Sequence, residues 1–227
     1  MVTDSYITTV IVAAGSARRF GAPLPKQFCD LGGRPVLMHT VDAIRRAIPD
    51  GDIVLVLSAD GLELWRDLCQ RHGYSSPRCV TGGDTRWQSV RNALASIPDN
   101  GIILVHDGAR PLVDGDTVDR VVAAARRCGA AIPAVPVTDS LRRTDTDAPV
   151  DRSLFRAVQT PQAFDAGLLK DAYRRPFDPL FTDDASVVQS AGHPVTMTDG
   201  NRDNIKITYP TDLLLAQALL VARNTQR

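Results

Sequence analysis

Apolar runs and amphipathic stretches alternate along this chain, and their order predicts its fold class. Tyr6 to Ala13 is a β-branched run that reads as a buried first strand. From Pro35, Leu37, Val41 and Ile44 recur at helical spacing, and Arg45 and Arg46 follow where a helix dipole favours positive charge. Ile53-Val54-Leu55-Val56-Leu57 is continuously apolar, the pattern of a strand covered on both faces. The pattern then predicts a helix over Leu62 to Cys69 and a short strand at Arg78-Cys79-Val80. A helix over Ser89 to Ile97 and a strand at Ile102-Ile103-Leu104-Val105 come next, then a helix over Asp116 to Arg127 and a strand over Ala130 to Val137. Such alternation implies a mostly parallel sheet with right-handed crossovers and helices on both faces. Ligands of such sheets sit at the carboxyl ends of the strands.

The segment from Val137 to Val158 breaks the rhythm. Thr138-Asp139-Ser140-Leu141-Arg142-Arg143 and Asp151-Arg152-Ser153-Leu154-Phe155 flank a polar turn at Thr144 to Pro149, which predicts a protruding β-hairpin arm. Alone, a two-stranded hairpin is marginal, so it needs a surface to pack on. Beyond it, Thr182-Asp183-Asp184-Ala185 opens a helix to Ser190 with Thr182 as N-cap. Val195-Thr196-Met197 reads as a strand and Asp203-Asn204-Ile205-Lys206-Ile207 as strand-like. The last helix starts after Pro210, with Asp212 to Val221 rich in Leu and Ala. There is no internal repeat, and residues 1–227 read as one domain.

Composition narrows the function. Lys plus Arg and Asp plus Glu are 26 each, a formal net charge of zero, which argues against non-specific nucleic-acid binding. Any cationic site must be local. Cys29, Cys69, Cys79 and Cys128 are scattered, without metal-ligand spacing, and read as reduced thiols of a cytoplasmic protein. No apolar run reaches membrane-spanning length.

Three polar clusters follow predicted strands. In Ala13-Ala14-Gly15-Ser16-Ala17-Arg18-Arg19, with Pro25-Lys26-Gln27 just after, small residues let backbone N–H groups approach a polyanion and the cations supply charge. Gly82-Gly83-Asp84-Thr85-Arg86, with Ser89 a turn later, reads on its own as a helix start turned by the glycines and capped by Asp84. Val105-His106-Asp107-Gly108-Ala109-Arg110-Pro111 places a carboxylate at a strand end, suited to a hard divalent cation bridging phosphates. Arg110 either holds that turn or contacts substrate.

These motifs resemble the nucleotidyltransferases that activate sugar or polyol phosphates, and Pro25-Lys26-Gln27 points to the cytidylyltransferase branch. Within it the chain resembles the 2-C-methyl-D-erythritol 4-phosphate cytidylyltransferases over almost its whole length, from Ala13 to Lys206. The resemblance implies a Rossmann-like three-layer fold and transfer of CMP from CTP to that polyol phosphate. The products are 4-diphosphocytidyl-2-C-methyl-D-erythritol, an isoprenoid precursor, and pyrophosphate. It also implies Mg²⁺ or another divalent cation as cofactor, and a homodimer whose arm reaches the neighbouring site. Residue by residue, Arg19 and Lys26 stabilise the transition state, and Arg152 and Lys206 aim the acceptor phosphate. Ala13, Ala14, Gly15, Gly83, Asp84 and Ser89 bind the nucleotide; Ser140 and Arg110 join the substrate pocket. Asp107 holds the metal, with Asp203 a weaker candidate. His106 is left structural, because a phosphate nucleophile is already an anion and needs no base.

Two departures from the family pattern stand out: Ala17 where a second glycine is common, and Ser140 in place of a threonine. Three rivals remain. A dinucleotide oxidoreductase should show Gly-x-Gly-x-x-Gly, whereas Ala17 and Phe20 follow Gly15. A non-catalytic nucleotide-binding protein could spare its metal carboxylate and orienting lysine. Ribitol 5-phosphate cytidylyltransferase shares the Pro-Lys-Gln and Asn-Ile-Lys elements. His106 to Arg110 and Thr182 to Ser186 look nearer to the methylerythritol branch.

Overall fold

A computed structural model describes residues 6–15 and 24–225. Along the chain run β1 (Ile7–Val12), β2 (Asp30–Leu31), β3 (Arg34–Pro35), α1 (Val36–Ala47), β4 (Asp52–Leu57) and α2 (Ala59–His72). Next come β5 (Arg78–Thr81), α3 (Arg86–Leu94), β6 (Ile102–Asp107), α4 (Gly115–Cys128) and β7 (Ala130–Pro136). The remainder comprises β8 (Leu141–Arg142), β9 (Pro149–Val150), β10 (Arg156–Val158), β11 (Gln162–Asp165), α5 (Ala166–Ala172), α6 (Asp184–Ser190), β12 (Thr196–Asp199) and α7 (Pro210–Thr225).

β1 lies inside the sheet, parallel to β4 on one side and β6 on the other, with β5 outside β4. Its Val10-Ile11-Val12 run is explained by the two cores that sandwich it. Ile11, Leu55, Leu57 and Leu104 face Leu37, Met38, Val41 and Ile44 of α1, Trp65 of α2 and Val118, Val121 and Val122 of α4. Val10, Val54, Val56, Ile103 and Val105 face Trp87, Val90 and Leu94 of α3, Leu169 of α5 and Val187 and Val188 of α6. The alternation of β-strand side chains feeds both layers at once.

Two strands, β10 and β11, run against the others. β11 is antiparallel to both β6 and β7, and β10 continues it along β7. Between Val158↔Ala134 and Ala163↔Ala131 one side advances five residues and the other three, so two extra residues bulge out around Thr160. β12 pairs with β7 in parallel on its other side.

Local chemistry sets the boundaries. Ser58 caps α2 and Gly73, at φ 56°, ends it in the left-handed region. Asp114 caps α4. Two expectations about caps are corrected. Thr85, not Asp84, caps α3 through a capping box with Gln88, and Asp183, not Thr182, caps α6 with Ser186. In each case the preferred residue sits one place later, where its oxygen reaches the backbone N–H three residues on. Asp203 to Ile207 is also not a strand: Asp203 sits in a turn and Asn204 to Ile207 have no regular structure, held where Ile207 N donates to Ala109 O. The arm is a small hairpin of β8 and β9. Among the described residues no helix is long and apolar enough to cross a membrane.

Candidate active site

The loops after β1, β5 and β6 converge at the carboxyl ends of those strands around a cavity of about 540 Å³. Ala13, Ala14 and Gly15 form one wall, Gly83, Asp84, Arg86 and Ser89 another, and Asp107, Gly108 and Ala109 the floor between them; Lys26 and Lys206 complete it. Small residues are a packing requirement here. A Cβ on Gly82 would stand 2.6 Å from Ala14 Cβ and 2.8 Å from Ser89 Oγ. One on Gly108 would stand 2.8 Å from Ala13 Cβ.

Lys26 is presented by a 3₁₀ turn, Lys26–Phe28, which starts at Pro25. The neighbouring Gln27 is buried and donates from Nε2 to Ala13 O at 2.7 Å, fastening the turn to the end of β1. Ser89, also buried, accepts from Gly83 N at 3.1 Å and shapes the loop after β5. Asp84, released from capping, is exposed at the cavity's edge.

Asp107 is the electrostatic centre. Its Oδ2 lies 2.9 Å from Lys206 Nζ and 3.3 Å from Arg110 Nε, and its Oδ1 lies 3.8 Å from Arg86 Nε. Burial alone would raise its pKa; attraction to Lys206, Arg86 and Arg110 outweighs this and holds the carboxyl below the usual range, so it is ionised. Arg110 is itself buried and donates from Nη1 to Asn204 O at 2.7 Å, tying the turn after β6 to the segment that carries Lys206. Burial lowers the Arg110 pKa, and Asp107 works against that shift.

His106 has no free nitrogen. Asp107 N donates to Thr160 Oγ1 at 3.0 Å, Thr160 Oγ1 lies 3.0 Å from His106 Nδ1, and His106 Nε2 lies 3.1 Å from Arg110 O. A carbonyl can only accept, so Nε2 carries the proton and Nδ1 accepts from the hydroxyl. Burial pushes the imidazole pKa down to about 4. The ring is a neutral strut beneath Asp107.

Of the four cations expected to act on phosphates, the structure brings Lys26 and Lys206 to one cavity. Arg19 and Ala17 lie outside the described residues. Arg152 is on the arm, donating to Thr138 O, and lines a separate cavity of about 400 Å³ with Arg156 and Arg202. Ser140, on the arm, is exposed and is not part of the main cavity. Asp203 is not brought to that cavity either; its carboxylate lies 3.7 Å from Arg223 of α7. The described residues contain no group of three or more His, Cys, Asp or Glu side chains arranged for a metal. A lone ionised Asp107 fits a hard cation held by one carboxylate and substrate phosphates, not one caged by protein.

Sequence reasoning passed over three residues. Arg86 was seen within its motif but given no role, and it pairs at 2.6 Å with Asp184, which is fully buried. Thr160, in the bulge, braces Asp107 and His106. Nothing local marks these pairings, which join residues far apart in the chain. A second cavity of about 290 Å³ shares Arg86, Asp107 and Lys206 with the first and adds Arg110, Thr160 and Asp183.

Comparison with known proteins agrees with this geometry. The family described as "IspD: 2-C-methyl-D-erythritol 4-phosphate cytidylyltransferase" matches residues 7–222. The 2-C-methyl-D-erythritol 4-phosphate cytidylyltransferase of Porphyromonas gingivalis is 48% identical over 218 residues, 94% of this chain and 97% of that one. That of Bacteroides thetaiotaomicron is 46% identical over 217 residues, 94% and 99% of the two chains. The crystal structure of 4-diphosphocytidyl-2C-methyl-D-erythritol synthase from Anaerococcus prevotii superposes with a TM-score of 0.80 at 28% identity, covering 96% of each chain. The chain belongs to the 2-C-methyl-D-erythritol 4-phosphate cytidylyltransferase family.

Proposed function

We propose that this protein transfers CMP from CTP to 2-C-methyl-D-erythritol 4-phosphate, releasing pyrophosphate. One observation carries the mechanism: Arg86 and Lys206 flank an ionised Asp107, and Lys26 lines the same cavity, which is walled by small residues at the strand ends. An acceptor phosphate oxygen attacks the α-phosphorus in line, and negative charge accumulates as pyrophosphate leaves. Positioning and electrostatic stabilisation suffice for such a step. No general base is required, and His106, with both nitrogens engaged, is not one.

On this reading Lys26, with Arg19, neutralises charge on the nucleotide phosphates. The walls at Ala13 to Gly15, Gly83, Asp84 and Ser89 hold the nucleotide. Lys206 draws the acceptor phosphate into the smaller adjoining cavity beside Arg110. Asp107 would hold Mg²⁺ or another divalent cation, whose charge would neutralise the phosphates. Asp203, paired with Arg223, has no part in it.

The arm supports a homodimer. Leu154 is 79% exposed and Phe155 44%, beside Arg152 and outside the main cavity. Apolar side chains at that exposure suit contact with a second copy, whose site would receive Ser140 and Arg152 from this chain. Four free cysteines suit a reducing cytoplasm.

Mass analysis of a reaction containing CTP, Mg²⁺ and 2-C-methyl-D-erythritol 4-phosphate tests the reading. A cytidylylated polyol with stoichiometric pyrophosphate is expected. CTP consumption without an acceptor adduct would overturn it.

A further inference from the structure

The stretch Thr182-Asp183-Asp184-Ala185 is not used by the transfer reaction as described, yet it contains a fully buried carboxylate. Asp184 Oδ2 accepts from Arg86 Nη2 at 2.6 Å, and its Oδ1 accepts from Tyr173 Oη at 2.6 Å. Arg86 then reaches Asp107 with its Nε at 3.8 Å. Both ends of this relay are fixed. The Tyr173 ring stacks on Trp87, next to Arg86, with centroids 5.7 Å apart and planes at 18°. The start of α6 is held by Gln162, which accepts from Ala185 N at 3.0 Å and donates to Asp183 Oδ2 at 2.7 Å. A buried carboxylate is costly unless paired, and this one is paired to the guanidinium on the wall between the two cavities.

We propose that Asp184 is a positioning residue: it anchors Arg86 on the wall shared by the two cavities and limits the positive charge that the site presents to the nucleotide phosphates. The inference rests on the cytidylyltransferase reading above. Lys206, Arg86 and Arg110 against Asp107 and Asp184 leave three positive and two negative charges, a net +1; without Asp184 the cluster carries +2. The added charge tightens the hold on CTP and on departing pyrophosphate, while an unanchored guanidinium falls onto Asp107 or the phosphates. Ground-state affinity gained in this way does not raise the rate.

Asp184→Asn keeps the shape and removes the charge. Its kcat should fall about tenfold or more while calorimetric affinity for CTP rises several-fold. In an Arg86→Gln background the same substitution should change kcat by less than about twofold, because the anchoring acts through Arg86, while the affinity for CTP still rises with the charge removed. Tyr173→Phe should move both quantities the same way by less, and it carries the test if Asp184→Asn does not fold. Weaker CTP binding with kcat intact, kcat losses that add to those of Arg86→Gln, or unchanged behaviour would overturn the proposal. A wild-type protein that binds CTP but transfers CMP to no acceptor overturns the functional reading instead. The rise in CTP affinity of Asp184→Asn still tests the charge role of Asp184 in that case.

Discussion

Lys206 Nζ stands 2.9 Å from Asp107 Oδ2, so the cation expected to aim the acceptor is held in place by the carboxylate expected to touch the metal. Lys206 is 44% exposed at its side chain, and Arg86 and Arg110 also attend Asp107. Lys206→Gln should therefore cost at most about 1 kcal/mol of stability, since a partly exposed pair is weakly stabilising. The rate should fall about a hundredfold, the usual effect of losing one preorganised charge. A melting curve and kcat, measured together, check this; a folded variant with full turnover would contradict it.

His106 predicts a stability that depends on pH. Its pKa lies at about 4 in the folded chain, below the ordinary 6.5, through burial. Between those values the unfolded chain takes up a proton that the folded chain refuses. The stabilisation is thus complete above about pH 6.5, is lost as pH falls, and is worth up to about 3 kcal/mol by pH 4. Urea midpoints at pH 7.5, 6 and 5 should fall in that order. His106→Asn should flatten most of the slope and leave the residue due to His39, which burial shifts in the same direction. A wild-type midpoint constant over this range would exclude a neutral His106.

Gly82→Ala should injure the site and the fold together. The new Cβ would need to displace Ala14 Cβ, 2.6 Å away, and Ser89 Oγ, 2.8 Å away. Overpacking of this kind costs about 1–3 kcal/mol. Because Ser89 shapes the loop at Gly83, the KM for CTP should rise as well. An unchanged melting temperature would show that the loops have slack which the structure does not contain.

The arm's role predicts complementation. Lys26→Ala and Arg152→Ala should each abolish turnover as pure homodimers. When the two are unfolded and refolded together, half of the dimers are mixed, and one of their two sites combines an intact Lys26 with the neighbour's intact Arg152. About a quarter of wild-type activity should return. No recovery would mean that each chain supplies its own Arg152.

The sheet's parallel half was legible because Val10, Val54 and Val105 belong to unbroken apolar runs covered on both faces. The reversed strand β11 was not. Gln162-Ala163-Phe164-Asp165 is short and follows Pro161, and its place between β6 and β7 depends on pairings far away in the chain. The α5 helix after it, seven residues long, carries no periodic pattern of useful length. At the site, Lys26 and Asp107 were legible because small residues and a strand end announced them, whereas Lys206 was legible only through the family resemblance. Arg86 and Asp184 were not, because their pairing exists only after α3 and α6 have packed on the same face of the sheet.

The most direct test compares kcat/KM for 2-C-methyl-D-erythritol 4-phosphate and ribitol 5-phosphate with CTP and Mg²⁺ in one pyrophosphate-release assay. The account predicts strong preference for the methylerythritol phosphate. Equal or better turnover of ribitol 5-phosphate would contradict it, leaving the cavity and its cations in place but assigning them to another acceptor.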